Sequence, residues 1–186
     1  MLRAVRGQAP RALRTALSGG RLIFPFNSVA QSKVRKKFLV VVDGSPECKL
    51  ALYYASRRAL HTGGQVTLLY VIEPAGFQHW LSVGKVMQSE ARAEAEAVLY
   101  DLAGEVNRIA HLMPEFQIHE GKRADVLLKL IRDDPDIRIL VLGAAAGKDG
   151  PGPLVSSFAG QMSGSLPIPV TIVPGDLTLA QLDALA

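Results

Sequence analysis

The residues of this chain best suited to hold a ligand lie between Gly143 and Ser157. Gly143 and Gly147 bracket three alanines, Gly150-Pro151-Gly152-Pro153 follows, and Ser156 and Ser157 come next. Glycines let a backbone approach a ligand closely and adopt positive φ. The serines supply hydroxyl donors in what reads as the first turn of a helix, where the macrodipole favours an anion by about 0.3–1 kcal/mol. This is chemistry of phosphate binding by amides and hydroxyls, at a helix N-terminus that follows a strand. On that reading Gly143 exists for ligand approach, and a side chain there costs binding more than folding.

Groups for bond-making are harder to find. Gly143-Ala-Ala-Ala-Gly147-Lys148-Asp149 mimics a Walker loop, which needs four intervening residues and Ser or Thr after the Lys. There is no G-x-S-x-G elbow and no recognisable Cys–His or paired-carboxylate constellation, so no general base is seen beside a nucleophile. His61, His79, His111 and His119 lie far apart without ligand spacing, and no metal site is expected. The lone Cys48 excludes an internal disulfide and fits a reducing compartment. It falls in the first turn of an expected helix, where a thiolate is favoured; the competing reading is a buried, inert thiol.

The elements that must position the loop alternate between strand and helix. Phe38–Val42 is a continuous β-branched and aromatic run, as in a strand buried on both faces. Asp43-Gly44-Ser45-Pro46 turns the chain, with Ser45 as N-cap and Pro46 at the first helical position, into a helix ending near His61 before Gly63-Gly64. Gln65–Ile72 is the second strand, followed by a connection over Gly76–Trp80 and a charged helix of about 25 residues over Lys85–His111. Pro114–Glu120 reads as a short alternating strand, Arg123–Asp133 as an amphipathic helix, Ile137–Gly143 as the fourth strand and Val170–Val173 as the fifth. Leu177–Ala186 has leucines at helical spacing that can pack on the domain or a partner, or fray. The alternation implies a parallel sheet with helices on both faces, which makes the fold class α/β.

Charge divides the 186 residues unevenly. Residues 1–37 carry nine Lys or Arg and no acid, leaving twelve basic against all seventeen acidic side chains in the rest, a net of −5. The overall +4 thus belongs to an N-terminal arm, and the body has no Lys/Arg stripe with interleaved aromatics, which argues against nucleic-acid binding. No apolar run approaches the roughly 20 residues of a membrane span. The arm, residues 1–36, is broken by Pro10 and Gly19-Gly20. It reads as a disordered extension, including one from a start codon set too far upstream, with an organelle transit peptide and an anionic-surface-binding arm as alternatives. Residues 37–175 form the expected domain and 176–186 a short tail. The expected location is cytoplasmic, or an organelle matrix if the arm is a transit peptide.

The segments FLVVVDGSPECKLALYYA, LLYVIEP and LVLGAAAG…SSFAG…PIPVTIVP stand in the order and spacing of a known family: from Lys37 to Gly175 the chain resembles a universal stress protein. The resemblance implies an open five-stranded Rossmann-like sheet in the order 3-2-1-4-5 and a dimer, and one branch of the family binds ATP or AMP. That branch has a loop of glycine, two residues, glycine, nine residues, then glycine and Ser or Thr. Here three residues separate Gly143 from Gly147, Ser157 stands at the third glycine, and Phe158 at the hydroxyl. The ligand is then expected in the crevice between strands 1 and 4. Asp43 and the backbone near Val71 would face the adenosine; Gly143, Ala144 and Gly147 would line the phosphates; Ser156 or Ser157 would cap the terminal group; Val42, Gly44 and Leu142 complete the expected nucleotide-binding set. Asp43 can accept from an adenine amino group or ribose hydroxyl, or simply serve as a turn or capping aspartate. The family's twofold contact implies a homodimer through Val170, Thr171, Ile172 and Val173. The expected function is an adenine-nucleotide-binding stress or regulatory protein without efficient catalysis. The alternative is a nucleotide-independent dimeric interaction module, and an enzyme using the crevice is the weaker third reading.

Overall fold

Five consecutive apolar side chains make β1 (Lys37–Val42) the middle of the molecule, because each finds a covered face. Phe38, Val40 and Val42 point into one layer; Leu39 and Val41 point into the other. A computed structural model describes residues 35–73, 80–147, 150–160 and 163–186, with the backbone alone described for 80–87 and Ser163. The arm up to residue 34, residues 74–79 of the connection after the second strand, and Lys148-Asp149 of the Walker-like stretch lie outside the described residues.

The elements follow as α1 (Pro46–Thr62), β2 (Gln65–Ile72), α2 (Trp80–Ala110), β3 (Glu115–Glu120), α3 (Arg123–Asp133), β4 (Ile137–Ala144), α4 (Pro153–Ala159), β5 (Val170–Pro174) and α5 (Leu179–Leu185). The strands form one parallel sheet in the order β3-β2-β1-β4-β5. Registers such as Val40 opposite Leu68 and Val141 set the C-terminal ends of β1 and β4 side by side. That is where the strand order reverses, and where a crevice opens in such sheets. Helices α1, α2 and α5 cover one face, through Ala51, Leu99 and Leu182 among others. Helices α3 and α4 cover the other, through Leu127, Ile131 and Phe158.

Local signals account for most boundaries. The Ser45 hydroxyl accepts the Cys48 amide at 3.2 Å and Pro46 occupies the first turn of α1, whose end is closed by Gly63 at φ 65°. The long helix α2 starts at Trp80, five residues before the expected Lys85, and ends at Ala110, since His111 takes the left-handed φ of 53°. No N-cap residue marks that start in the sequence, so hydrophobic spacing alone placed it late. Strand β4 extends one residue past Gly143 because Ala144 still pairs with Pro174.

The C-terminal segment is a helix on the domain. Thr178 and Gln181 form a capping box at its start, and Leu182 is fully buried beneath α1. Seven residues do not form a stable helix alone. Burial of Leu182 supplies about 1.5–3 kcal/mol, and Asp183 adds an ion pair with Arg57 (2.8 Å) and accepts the Tyr53 hydroxyl (2.9 Å).

At the opposite end of the sheet, Lys37 Nζ lies 2.7 Å from Glu115 and 2.9 Å from Asp134, tying β1 to β3 and to the turn before β4. Burial disfavours the Lys37 charge, but its bonds and attraction to Glu115 and Asp134 outweigh that and raise its pKa. Burial likewise pushes Asp134 up, and Lys37 with the Asp136 and Ile137 amides brings it to a net value below its ordinary one. None of the described helices is long and apolar enough to cross a membrane.

Candidate functional site

The turn leaving β1 is built on Asp43, Gly44 and Ser45. Asp43 Oδ1 accepts both the Ser45 amide (3.0 Å) and the Ser45 hydroxyl (2.7 Å), closing an Asx turn that Gly44 completes at φ 76°. The turn role of Asp43, one of its two sequence readings, is thus filled by Oδ1. Ser45 in turn receives Cys48 N–H, so the hydroxyl–carboxylate pair is part of the helix start. Cys48 is buried and its thiol donates to the Val41 carbonyl at 3.5 Å. Burial pushes that thiol up to about 11, which keeps it neutral near pH 7. The inert reading of Cys48 is the one the geometry supports.

Gly143 sits where β4 passes under the first turn of α1. A Cβ built there would fall 2.5 Å from the carbonyl carbon of Glu47 and 2.9 Å from its Cβ. The bare backbone at 143 is therefore required by helix-on-strand packing whether or not a ligand is present. This revises the expectation that a side chain at this glycine would cost binding more than folding.

A cleft of about 140 Å³ opens at the C-terminal ends of β1 and β4. Three of the sequence candidates, Asp43, Leu142 and Gly143, line it, and Val41, Leu142 and Val155 give it an apolar floor. The other sequence candidates are elsewhere. Val42 and Gly44 border a second cleft of about 290 Å³ on the α1/α2 side, with Lys49, Asp101 and Glu105. Val71 and Ala144 are packed into the core facing α3 and α4, at 4% and 8% exposure. Gly147 is exposed, with open space beside it. Ser156 is exposed and gives its amide to the Gly152 carbonyl at 3.0 Å, and Ser157 is half-buried; neither lines the cleft.

The wall expected from the serines is formed instead by Pro151, Gly152, Pro153, Leu154 and Val155. Since α4 begins at Pro153, the amides of Leu154 and Val155 have no intrahelical acceptor. Two further contributors escaped sequence reasoning, Glu47 and Arg123. The signal for Arg123 was its place directly after a strand-to-helix turn, at the carboxyl end of the strands, the end of such sheets where crevices form. Its amide donates to Glu73 Oε1 at 3.2 Å, so Glu73 caps α3 where Lys122 has no capping side chain. Its Nη2 is 3.7 Å from Glu73 Oε2. Among the described residues no group of three or more His, Cys, Asp or Glu could hold a metal ion. The arrangement can enclose a small group against apolar side chains while a charged, amide-rich rim holds its polar end.

Comparison with curated protein sequences gives no match. Solved structures do match in fold. The universal stress protein UspA from Lactobacillus plantarum superposes with a TM-score of 0.62 at 21% identity, over 75% of this chain and 98% of that one. A universal stress protein family protein from Arabidopsis thaliana, solved with AMP bound, gives 0.51 at 15% identity, over 75% and 91%. The universal stress protein from Archaeoglobus fulgidus in complex with dAMP gives 0.50 at 17%, over 75% and 98%. With the sequence model of the Universal stress protein family matching residues 35–174, the chain belongs to that family.

Proposed function

We propose that the protein binds an adenine nucleotide in the β1/β4 cleft and acts as a regulatory binder rather than an efficient catalyst. The observation that carries this reading is the cleft itself. It lies at the reversal point of the sheet, with an apolar floor, a glycine-rich wall and the acceptor Asp43 at its rim. Relatives of this fold solved with AMP and dAMP supply the ligand class. The enclosed 140 Å³ is below the roughly 300–1,000 Å³ of a drug-sized site. It accommodates one moiety of a nucleotide, with the remainder on the open rim. The absence of a catalytic reading rests on Cys48 being a neutral thiol and on Ser45 being engaged in the helix start.

The small enclosed volume is also the observation that favours a second reading, a nucleotide-independent dimer module working through β5. That strand is an edge of the sheet and exposes Ile172 at 39%. Calorimetric titration of the ligand-stripped protein with AMP and with ATP separates the two. Saturable heat below millimolar nucleotide is expected. Its absence at millimolar concentration would discard the first reading in favour of the second.

A further inference from the structure

Resting on the nucleotide reading, we infer that Arg123 is the residue that recognises the ligand's phosphate. Among the described residues that line the cleft, Arg123 is the sole cation, beside two acids, Asp43 and Glu47. The body is net acidic, so no long-range field draws an anion in and the counter-charge must be local. Ser156 and Ser157, the hydroxyls expected to meet the phosphate, do not line the cleft. A dianion beside Asp43 and Glu47 would be repelled, which leaves Arg123 and the unengaged amides of Leu154 and Val155 among the lining groups that can meet it.

The guanidinium is also incompletely satisfied. Its Nε is buried and has no hydrogen-bond acceptor among the described residues. Its one ion pair among the described residues, to Glu73, is long at 3.7 Å, with the Arg123 side chain 26% exposed and that of Glu73 51% exposed. A buried N–H without an acceptor is unfavourable, so a guanidinium that turns toward an incoming oxygen gives up little and gains a partner. Arginine offers a planar fork that matches two phosphate oxygens. The Glu73 carboxylate is a competitor for the same fork: it holds the α3 amide firmly and the guanidinium only at arm's length.

The test compares AMP with adenosine on the full chain by calorimetry at low ionic strength. The wild type is expected to bind AMP about tenfold or more tightly than adenosine, the scale of hydrogen bonds to a charged group. Arg123→Gln should bring that ratio to within about threefold while leaving adenosine affinity in place, with unfolding followed in parallel to verify the fold. Glu73→Gln keeps an oxygen for the α3 amide and releases the guanidinium, so it should tighten AMP severalfold and leave adenosine unchanged. A preserved AMP preference in Arg123→Gln, equal wild-type affinity for the two ligands, or weaker AMP binding in Glu73→Gln would each overturn the inference and leave adenine binding standing. Failure of the wild type to bind either ligand would remove the nucleotide reading and the Arg123 role with it.

Discussion

Alanine at Gly143 adds one methyl group, and its consequences can be worked from the contact it would make. The built Cβ lies 2.5 Å from the Glu47 carbonyl carbon and 2.9 Å from Glu47 Cβ, where ordinary contact begins at 3.4 Å. Either β4 or the start of α1 must then retreat by close to 1 Å. The helix cannot yield at Glu47 alone. Ser45 caps it two residues away, Cys48 is pinned to the Val41 carbonyl, and Ala51 and Ala55 are buried on the sheet. Overpacking of this kind costs about 1–3 kcal/mol, and loosening of the Ser45 cap about 0.5–2 kcal/mol more. A total of about 1.5–5 kcal/mol is a large share of a typical stability of about 5–15 kcal/mol. At about 2–4 °C per kcal/mol for a domain of this size, the melting temperature should fall by about 3–20 °C. Thermal and urea unfolding of the ligand-free protein measure this, with Gly147→Ala as the control. Among the described residues, its chain neighbours aside, no atom lies within 4 Å of a Cβ at 147, so that change should stay within about 0.5 kcal/mol. A Gly143→Ala protein that melts within about 2 °C of wild type would refute the packing account.

Other perturbations probe separate parts of the molecule. Asp134 has a folded pKa below its ordinary 3.8, so its contribution is complete above that value and is lost as pH falls through the lower folded one. Asp134→Asn should therefore be less stable than wild type near neutral pH, with the gap closing below about pH 4 in urea titrations; a gap independent of pH would disprove the coupling to Lys37. Cys48, with its thiol at about 11, should be roughly 10⁻⁴ thiolate at pH 7. Its modification by an aromatic disulfide should track global unfolding, and fast labelling of the native protein would contradict the burial. For the proposed dimer, Ile172→Glu should yield a monomer of unchanged melting temperature in sedimentation, because the side chain is 39% exposed. Val173→Glu should instead unfold the subunit, since Val173 is 2% exposed within it. A dimer that survives Ile172→Glu would exclude this edge.

What the sequence made legible was whatever a local rule determines. The run from Phe38 to Val42 could only be a strand covered on both faces, and Ser45-Pro46 together with Gly63 bounded α1 to within a residue. The sheet order came through resemblance, not periodicity. Illegible were juxtapositions of distant segments: Glu73 and Arg123 are fifty residues apart and meet only because α3 starts beside the end of β2. The same holds for Glu47 over Gly143, a contact that turns an apparent ligand glycine into a packing glycine. The serines misled for a subtler reason. Pro153, not a serine, opens α4, so the unengaged amides belong to Leu154 and Val155, two apolar residues that carry no polar signature in a sequence.

The central position of β1 also sets an order of events during synthesis. Its neighbour β2 follows within about 25 residues, but β4, its other neighbour, is made only after α2, β3 and α3, roughly a hundred residues later. At about 5–20 residues per second, one edge of β1 waits of the order of ten seconds for its hydrogen-bonding partner. The underside of α1 waits longer still, until Leu182 emerges to cover it. The nascent chain thus presents an unpaired apolar edge to the cell throughout that interval, a natural point for chaperone engagement.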